Sequence, residues 1–333
     1  GYYLNTTGTS GSYDITFDGI SYSGTNYLFY NSAASSWNVK VTGTNTINST
    51  GGTVFRENTS SSSFTVETGA IADLSGGGAA NGVVSNYKTN IIKGEAKIST
   101  SVSGRGIYTT GSDALLEVQS SGKLTTDSSA GVTYEAVGMS NGGTVNIYGQ
   151  WTSSVYGGKV FEGGKETTFN VDGGNVKFST GVGYSAVSVA GGAYEQGTGA
   201  AGTINVKNNG TMNIEGKSVY GISSAANSSD DFNINVEKGS TLNAFGYTNG
   251  LRTTTITGSN IKLNVAGTVG IRSNSGAAIQ GGNKTYIFVN GGKLTAGSGT
   301  DNAFFTNGYG TEIKSMNGGT IDFTSDSTTA ASR

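Results

Sequence analysis

Residues 203–216 read TINVKNNGTMNIEG. Ile204 and Val206 would share one face of a strand, as would Met212 and Ile214, because side chains alternate along a strand. Asn-Gly between two such segments is the strongest short signal for a β-hairpin. The alternative is one corner of a coil that keeps turning in the same direction. The fold of the whole chain depends on which interpretation is correct.

The same corner recurs along the sequence. VDGGNV (171–176), VNGGKL (289–294) and MNGGTI (316–321) share an apolar residue, Asn or Asp, two glycines, any residue and a second apolar residue. Such internal repetition is typical of solenoids. The residues predicted to end the first strand of each repeat are Phe17, Val41, Val66, Ile92, Val118, Ile147, Val171, Val206, Val236, Val265, Val289 and Ile313. They are 24 to 35 residues apart, with an average of about 27.

A third apolar block, usually a small residue followed by a large one, completes nearly every repeat. Examples are RGIYT (105–109), GKVFE (158–162) and YSAVS (184–188), and the stretch 190–202 resembles an insertion. A hairpin meander would repeat every 8–12 residues or so, whereas here three different segments return together. The pattern therefore predicts an all-β parallel β-helix with three strands per turn and about twelve turns. The pattern does not give the handedness of the coil, for which precedent favours the right-handed form. Val206 should then stack on Val171 and Val236 and should not face Met212.

The predicted organisation has three parts. Residues 1–13 form an N-terminal strand, cap or assembly segment, residues 14–323 form the β-helix, and residues 324–333 form a C-terminal tail. Because the chain begins with Gly1 and not with Met, we expect a processed or trimmed form of a longer product.

Composition excludes several classes of function. The 333 residues include no Pro, Cys or His, charged residues make up 13%, and the formal net charge is −2. A protein that binds nucleic acid needs a patch of basic residues, and this charge composition does not indicate one. No apolar run approaches the 18–20 or so residues of a membrane span. We therefore expect neither nucleic acid nor membrane insertion, and the absence of Cys excludes thiolate metal sites.

The recurrent corners, the turns rich in Gly, Ser, Thr and Asn, and the lack of Cys resemble the passenger regions of bacterial autotransporters and related haemagglutinin-type surface adhesins. The resemblance covers about residues 14–323. It implies a right-handed parallel β-helix of the pectin-lyase-like kind, exported to the bacterial cell surface for adhesion, aggregation or biofilm formation. It implies no catalytic motif.

The sequence offers few candidates for catalysis. Asp230-Asp231 is interpreted as a solvated loop with Asx turns. Glu135 and Glu162 both lie near the third strand of neighbouring repeats and could approach each other, but we favour exposed charges over an acid–base pair. We predict no enzyme activity, no catalytic residue and no cofactor. Asp301, in GSGTDNA (297–303), is a weak candidate metal ligand, and we expect no metal there because tandem copies of this motif are lacking.

Two non-catalytic functions remain, with a polysaccharide-active enzyme as a weaker alternative. The first is an extracellular adhesin or display element that binds host or bacterial surface glycans or proteins through loops at 190–202 and 223–231. The second is a self-assembling extracellular filament, joined head to tail through its termini, for which Tyr2, Tyr3 and Leu4 are the candidate contact residues. Heterologous contacts that do not close into a ring would produce such a filament.

Overall fold

The structure of the protein is a computed structural model. It describes residues 4–6, 10–32, 34–57, 59, 61–77, 81–100, 104–128, 134–156, 159–164, 166–181, 192–196, 202–217, 220–224, 231–253, 260–282, 284–306 and 310–326.

Within these residues, all regular secondary structure consists of β-strands, 36 in total. Strands pair with the strand three places along the chain, in parallel, and form three sheets. The fold is thus an all-β parallel β-solenoid with three strands per turn and about twelve turns, consistent with a pectin-lyase-like fold. The chain divides into two compact units, Gly1–Glu162 and Gly163–Arg333, called unit 1 and unit 2. We name the sheets first, second and third after the order of strands in the repeat.

In unit 1 each sheet is built from one strand per repeat. The first-sheet strands are β2 (Ser12–Asp18), β5 (Ser36–Thr42), β8 (Ser63–Val66), β11 (Thr89–Ile92), β14 (Ala114–Val118) and β17 (Gly143–Ile147). The second-sheet strands are β3 (Ser21–Gly24), β6 (Thr44–Ser49), β9 (Ile71–Gly76), β12 (Glu95–Thr100), β15 (Lys123–Ser128) and β18 (Gln150–Val155). The third-sheet strands are β1 (Leu4–Thr6), β4 (Phe29–Asn31), β7 (Phe55–Glu57), β10 (Val84–Ser85), β13 (Ile107–Thr109) and β16 (Val137–Met139), while β19 (Phe161–Gly163) crosses the unit boundary.

Unit 2 follows the same plan. Its first-sheet strands are β20 (Thr168–Asp172), β23 (Thr203–Lys207), β26 (Asp231–Val236), β29 (Asn260–Val265), β32 (Lys284–Asn290) and β35 (Gly310–Met316). Its second-sheet strands are β21 (Asn175–Thr180), β24 (Thr211–Gly216), β27 (Thr241–Gly246), β30 (Thr268–Ser273), β33 (Lys293–Ser298) and β36 (Thr320–Ser325). Its third-sheet strands are β22 (Gly192–Gln196), β25 (Tyr220–Ser224), β28 (Asn249–Thr253), β31 (Ile279–Gly281) and β34 (Phe304–Thr306).

Inward side chains of successive turns stack in columns and form the core of each unit. Val206 pairs in register with Val171 and Val236, as predicted, and all three are buried. Met212 pairs instead with Val176 and Leu242. The segment 203–216 is therefore a corner between two sheets, and the hairpin interpretation is wrong.

The repeated corner motif has two separate steric causes. Asn208 and Asn209 adopt φ angles of 53° and 63°, and Asn tolerates this left-handed region better than most residues. Gly210 follows, where an added Cβ would lie 2.6 Å from the carbonyl oxygen of Val171 in the preceding turn. The corner thus requires a residue that accepts positive φ and then a residue without a side chain. In VNGGKL the same two steps fall on Gly291, with φ of 71°, and Gly292.

The register predicted for the last turn is wrong. Ile313 pairs with Ile287, and it is Ser315 that aligns with Val289. In the last corner Met316 aligns with Asn290, so this corner contains one residue more than its apolar pattern indicates.

A second correction concerns the stretch 190–202, which was predicted to be an insertion. A third-sheet strand, β22, lies inside this stretch and pairs with β25, placing buried Tyr194 opposite Ile222. The predicted strand at 184–188 lies outside the described residues. The right-handed coil and the predicted boundaries after residues 13 and 323 stay predictions.

Candidate functional site

The outer face of the second sheet in unit 2 carries a groove of about 670 Å³. Strand alternation places Val176, Met212 and Leu242 inward, so the residues beside them point outward. The central outward row, called the floor row, runs across all six strands of this sheet. It consists of Lys177, Asn213, Asn243, Gly270, Thr295 and Asp322.

Two parallel rows form the walls of the groove. On one side are Glu215, Phe245 and Arg272, each two residues further along its strand than a floor-row residue. On the other side are Thr268 and Lys293, which are paired in register. Because four residues of a strand span about 13 Å, the groove separates Arg272 from Thr268 by that distance. This width suits a single extended chain lying across the strands.

Gly270 leaves one position of the floor row without a side chain. Asn243 Nδ2 donates a hydrogen bond of 2.9 Å to Asn213 Oδ1, which begins a ladder of amide side chains. The ladder stops at Gly270, where an added Cβ would lie 2.8 Å from Asn243 Oδ1. The oxygen of Asn243 is therefore presented to the groove as a hydrogen-bond acceptor.

The electrostatics of this groove are dominated by unpaired cations. Within the described part of the chain, Lys177, Arg272 and Lys293 have no ion-pair partner. Glu215, in contrast, is 3.4 Å from Lys217 Nζ and accepts a hydrogen bond from Ser179. The acidic residues of the lining are thus partly neutralised or lie at its far end, where Asp322 occupies the last strand.

Unit 1 carries a second groove on the corresponding sheet, with a volume of about 710 Å³. Its outward row contains small polar residues and one carboxylate: Asn48, Ser75, Ser99, Asp127 and Ser154. Burial raises the pKa of Asp127, while the backbone N–H of Ser154 and the charge of Lys97 oppose this shift. The groove offers hydroxyl and amide groups but no aromatic ring.

The structure brings Glu135 and Glu162 close enough to interact electrostatically, on neighbouring turns of unit 1. Glu135 is only 4% exposed and forms an ion pair with Arg105, while Glu162 is 3.0 Å from Lys159 Nζ. Burial raises the pKa of the Glu135 carboxyl, and the charge of Glu162 raises it further, against the opposing effect of Arg105. Contrary to the prediction of exposed charges, Glu135 is a buried carboxylate.

Arg105 contacts two tyrosine rings in addition to Glu135. Its guanidinium lies over the rings of Tyr108 and Tyr134, at 4.0 and 4.3 Å from their centroids. Such cation–π contacts add to the ion pair with Glu135. Each carboxylate therefore has its own cation, an arrangement that anchors the third strand and its flanking loop.

The remaining candidates from the sequence are not brought together. Asp301 Oδ1 accepts a hydrogen bond from the N–H of the next residue, Asn302. Asp231 lies at the start of strand β26 and not in a loop as predicted, and it accepts a hydrogen bond from Asn260 and pairs with Lys262. Asp230 lies outside the described residues. In the portion of the chain that the structure describes, no cluster of three or more Asp or Glu residues could hold a metal ion.

The assembly and loop candidates lie partly outside the described residues. Leu4 lies in β1, is 49% exposed and pairs with Phe29, whereas Tyr2 and Tyr3 are not described. Of the two predicted binding loops, the structure describes only 192–196, 202, 223–224 and 231, all but residue 202 in strands. Within the described ranges, the chain contains no helix that is long and apolar enough to span a membrane.

Sequence reasoning missed Phe245, Gly270 and Arg272. Their outward positions carry no apolar period, so these residues become visible only when the register of neighbouring turns is known. Comparisons with protein-family models, curated proteins and solved structures find no match to this chain.

Proposed function

We propose that the protein is a non-catalytic, extracellular bacterial surface β-solenoid that acts in adhesion or display. Its binding face is the outer surface of the second sheet, with the groove of unit 2 as the main site. The observation that carries this proposal is that Lys177, Arg272 and Lys293 have no ion-pair partner among the described residues and lie around a floor where Gly270 carries no side chain. Exposed cations of this kind are available to an acidic ligand, and the ion pairs formed on binding offset the hydration that these cations lose.

Three further observations support a binding function over catalysis. The sequence has no His, the usual general base near neutral pH. Glu135 and Glu162 are held in separate ion pairs. The residues that line the groove of unit 2 belong to hydrogen-bonded strands of one sheet, which suits recognition by a preformed surface.

A glycan array and a cell-binding assay with purified protein test this function. We expect binding to at least one surface glycan or cell type, and loss of that binding in an Arg272→Gln variant. A depolymerisation assay on a panel of polysaccharides tests the enzyme alternative, for which product formation would contradict our proposal. The absence of binding in both the array and the cell assay would also contradict it.

A second candidate function is a self-assembling extracellular filament. It is favoured by the last turn of unit 2, where Ile313, Met316 and Phe323 are exposed and β34, β35 and β36 each pair on one side among the described strands. Open strand edges and apolar side chains of this kind promote pairing with another chain. Electron microscopy over a range of concentrations tests this function: ordered fibres are expected, and discrete particles throughout would contradict it.

A further inference from the structure

The groove of unit 2 crosses the middle of a sheet and not its edge. β27, β30 and β33 are each paired on both sides, so their backbone N–H and C=O groups are already engaged in the ladder. An extended peptide that binds by adding a strand needs a free edge. A ligand in this groove must therefore be recognised by side chains alone.

The side chains of the floor row are suited to hydroxyl groups. Asn213 and Asn243 carry donor and acceptor groups on neighbouring strands, and Thr295 carries a hydroxyl on the far side of Gly270. These strands are about 4.8 Å apart, close to the length of one pyranose unit in an extended polysaccharide. A ligand that lies along the floor row thus meets a polar group at nearly every sugar.

Phe245 supplies an apolar surface on one wall. Its strand alternates buried and half-buried residues, and Phe245 is a half-buried outward residue next to Arg272 in register. Aromatic rings in otherwise polar grooves provide a flat apolar platform, and the C–H face of a sugar ring fits such a platform. Phe245 is the only aromatic side chain on the outward side of the groove lining that the structure describes.

The cations determine the charge of the ligand. Arg272 stands on one wall, Lys293 on the other and Lys177 at one end of the floor row. Arg binds planar oxyanions through two parallel hydrogen bonds, while Lys acts as a mobile point charge. The opposite end of the floor row carries Asp322, which disfavours an acidic group there.

We propose that this groove binds an extended glycan bearing carboxylate or sulfate groups, with its chain lying across the strands of the second sheet. Arg272 and Lys293 bind the acidic groups, Phe245 packs on a sugar ring, and Asn243 Oδ1 accepts a hydrogen bond from a hydroxyl above Gly270. This inference rests on the proposed binding function and specifies its ligand class.

The test measures binding of the full chain to four polymers by calorimetry at low and physiological salt. The polymers are alginate (carboxylated), dextran sulfate (sulfated), dextran (neutral) and polyglutamate (an acidic peptide). We expect binding to alginate or dextran sulfate and not to dextran. The double variant Arg272→Gln/Lys293→Gln should weaken it by about ten- to hundredfold.

Two further variants separate recognition from general charge attraction. Lys238→Gln removes an exposed cation outside the groove and should leave affinity unchanged. Gly270→Leu should abolish binding without unfolding the protein, because the nearest atom to an added Cβ belongs to the Asn243 side chain and Gly270 is not at positive φ. The thermal unfolding midpoint of each variant checks that its fold is intact.

Several results would overturn the proposal: equal binding to dextran, tighter binding to polyglutamate than to either acidic glycan, or equal losses in Lys238→Gln and the double variant. If the protein binds cells or neutral glycans through another surface, the ligand class is wrong while the proposed adhesion stands. If it binds neither cells nor any glycan, both proposals fail.

Discussion

Single residues at the corners decide where the chain changes direction. Asn209 supplies a positive φ of 63°, and Gly210 supplies the space next to the carbonyl of Val171. Asn209→Gly should change the free energy of unfolding by less than about 0.5 kcal/mol, and Asn209→Ala should cost about 1–2 kcal/mol. Gly210→Ala should cost about 1–3 kcal/mol through the steric conflict with the backbone. Urea unfolding of the three variants measures these differences, and a neutral Gly210→Ala would contradict the steric explanation.

Glu135 gives the protein a predictable dependence on pH. Its folded-state pKa is raised above the ordinary value of 4.5, so the folded state binds its proton more tightly than the unfolded state. The stability contributed by this group is therefore present at low pH and is lost as the pH rises from about 4.5 through the raised pKa. In Glu135→Gln this component should vanish, and urea unfolding from pH 4 upward measures it. An unchanged pH profile would contradict the account.

At the scale of a sheet, amide side chains link successive turns of unit 2. Three side-chain hydrogen bonds of 2.8 Å form this ladder: Asn205 donates to Asn170, Asn235 donates to Asn205, and Asn264 donates to Asn235. Asn205→Ala removes two of these hydrogen bonds, whereas Asn264→Ala removes one. At about 0.5–1.5 kcal/mol for each hydrogen bond, Asn205→Ala should cost roughly twice as much in unfolding free energy. Equal costs would show that the ladder contributes little.

The order of strands and sheets follows from the sequence because apolar alternation and corner chemistry repeat in every turn. The predicted column from Phe17 to Ile147 and from Val171 to Val289 is confirmed. The last turn was predicted with the wrong register because Met316 resembles the apolar residue that begins other corners. The strand β22 was missed because its glycine-rich surroundings resemble an insertion.

The groove could not be predicted in the same way. Its shape depends on side-chain length at outward positions across six strands, and outward positions carry no apolar period. Gly270 contributes by lacking a side chain, and Arg272 by having no ion-pair partner among the residues that the structure describes. Both properties become visible only when the register of neighbouring turns is known.

On the scale of the whole molecule, stability should depend on position along the solenoid. Ile234 and Ile313 belong to the same inward column of the first sheet, through Leu263 and Ile287. Ile234 is 0% exposed, and Ile313, on the last described turn, is 38% exposed. Ile234→Ala should cost about 2–5 kcal/mol and Ile313→Ala less than about 1 kcal/mol in unfolding free energy. Dilute protein is required, so that any end-to-end association does not bury Ile313. Similar costs for the two variants would contradict this dependence on burial.

The parallel, in-register stacking of turns underlies both the core and the groove, and an engineered disulfide tests it directly. The chain has no Cys, and the side chains of Asn205 and Asn235 are hydrogen-bonded across neighbouring turns. Neighbouring strands are about 4.8 Å apart, within the Cα separation of natural disulfides. Asn205→Cys/Asn235→Cys should form an intramolecular disulfide under mild oxidation, detected by mass spectrometry of proteolytic fragments. Absence of that bond, with rapid disulfide formation in Val206→Cys/Met212→Cys instead, would restore the hairpin and contradict the solenoid.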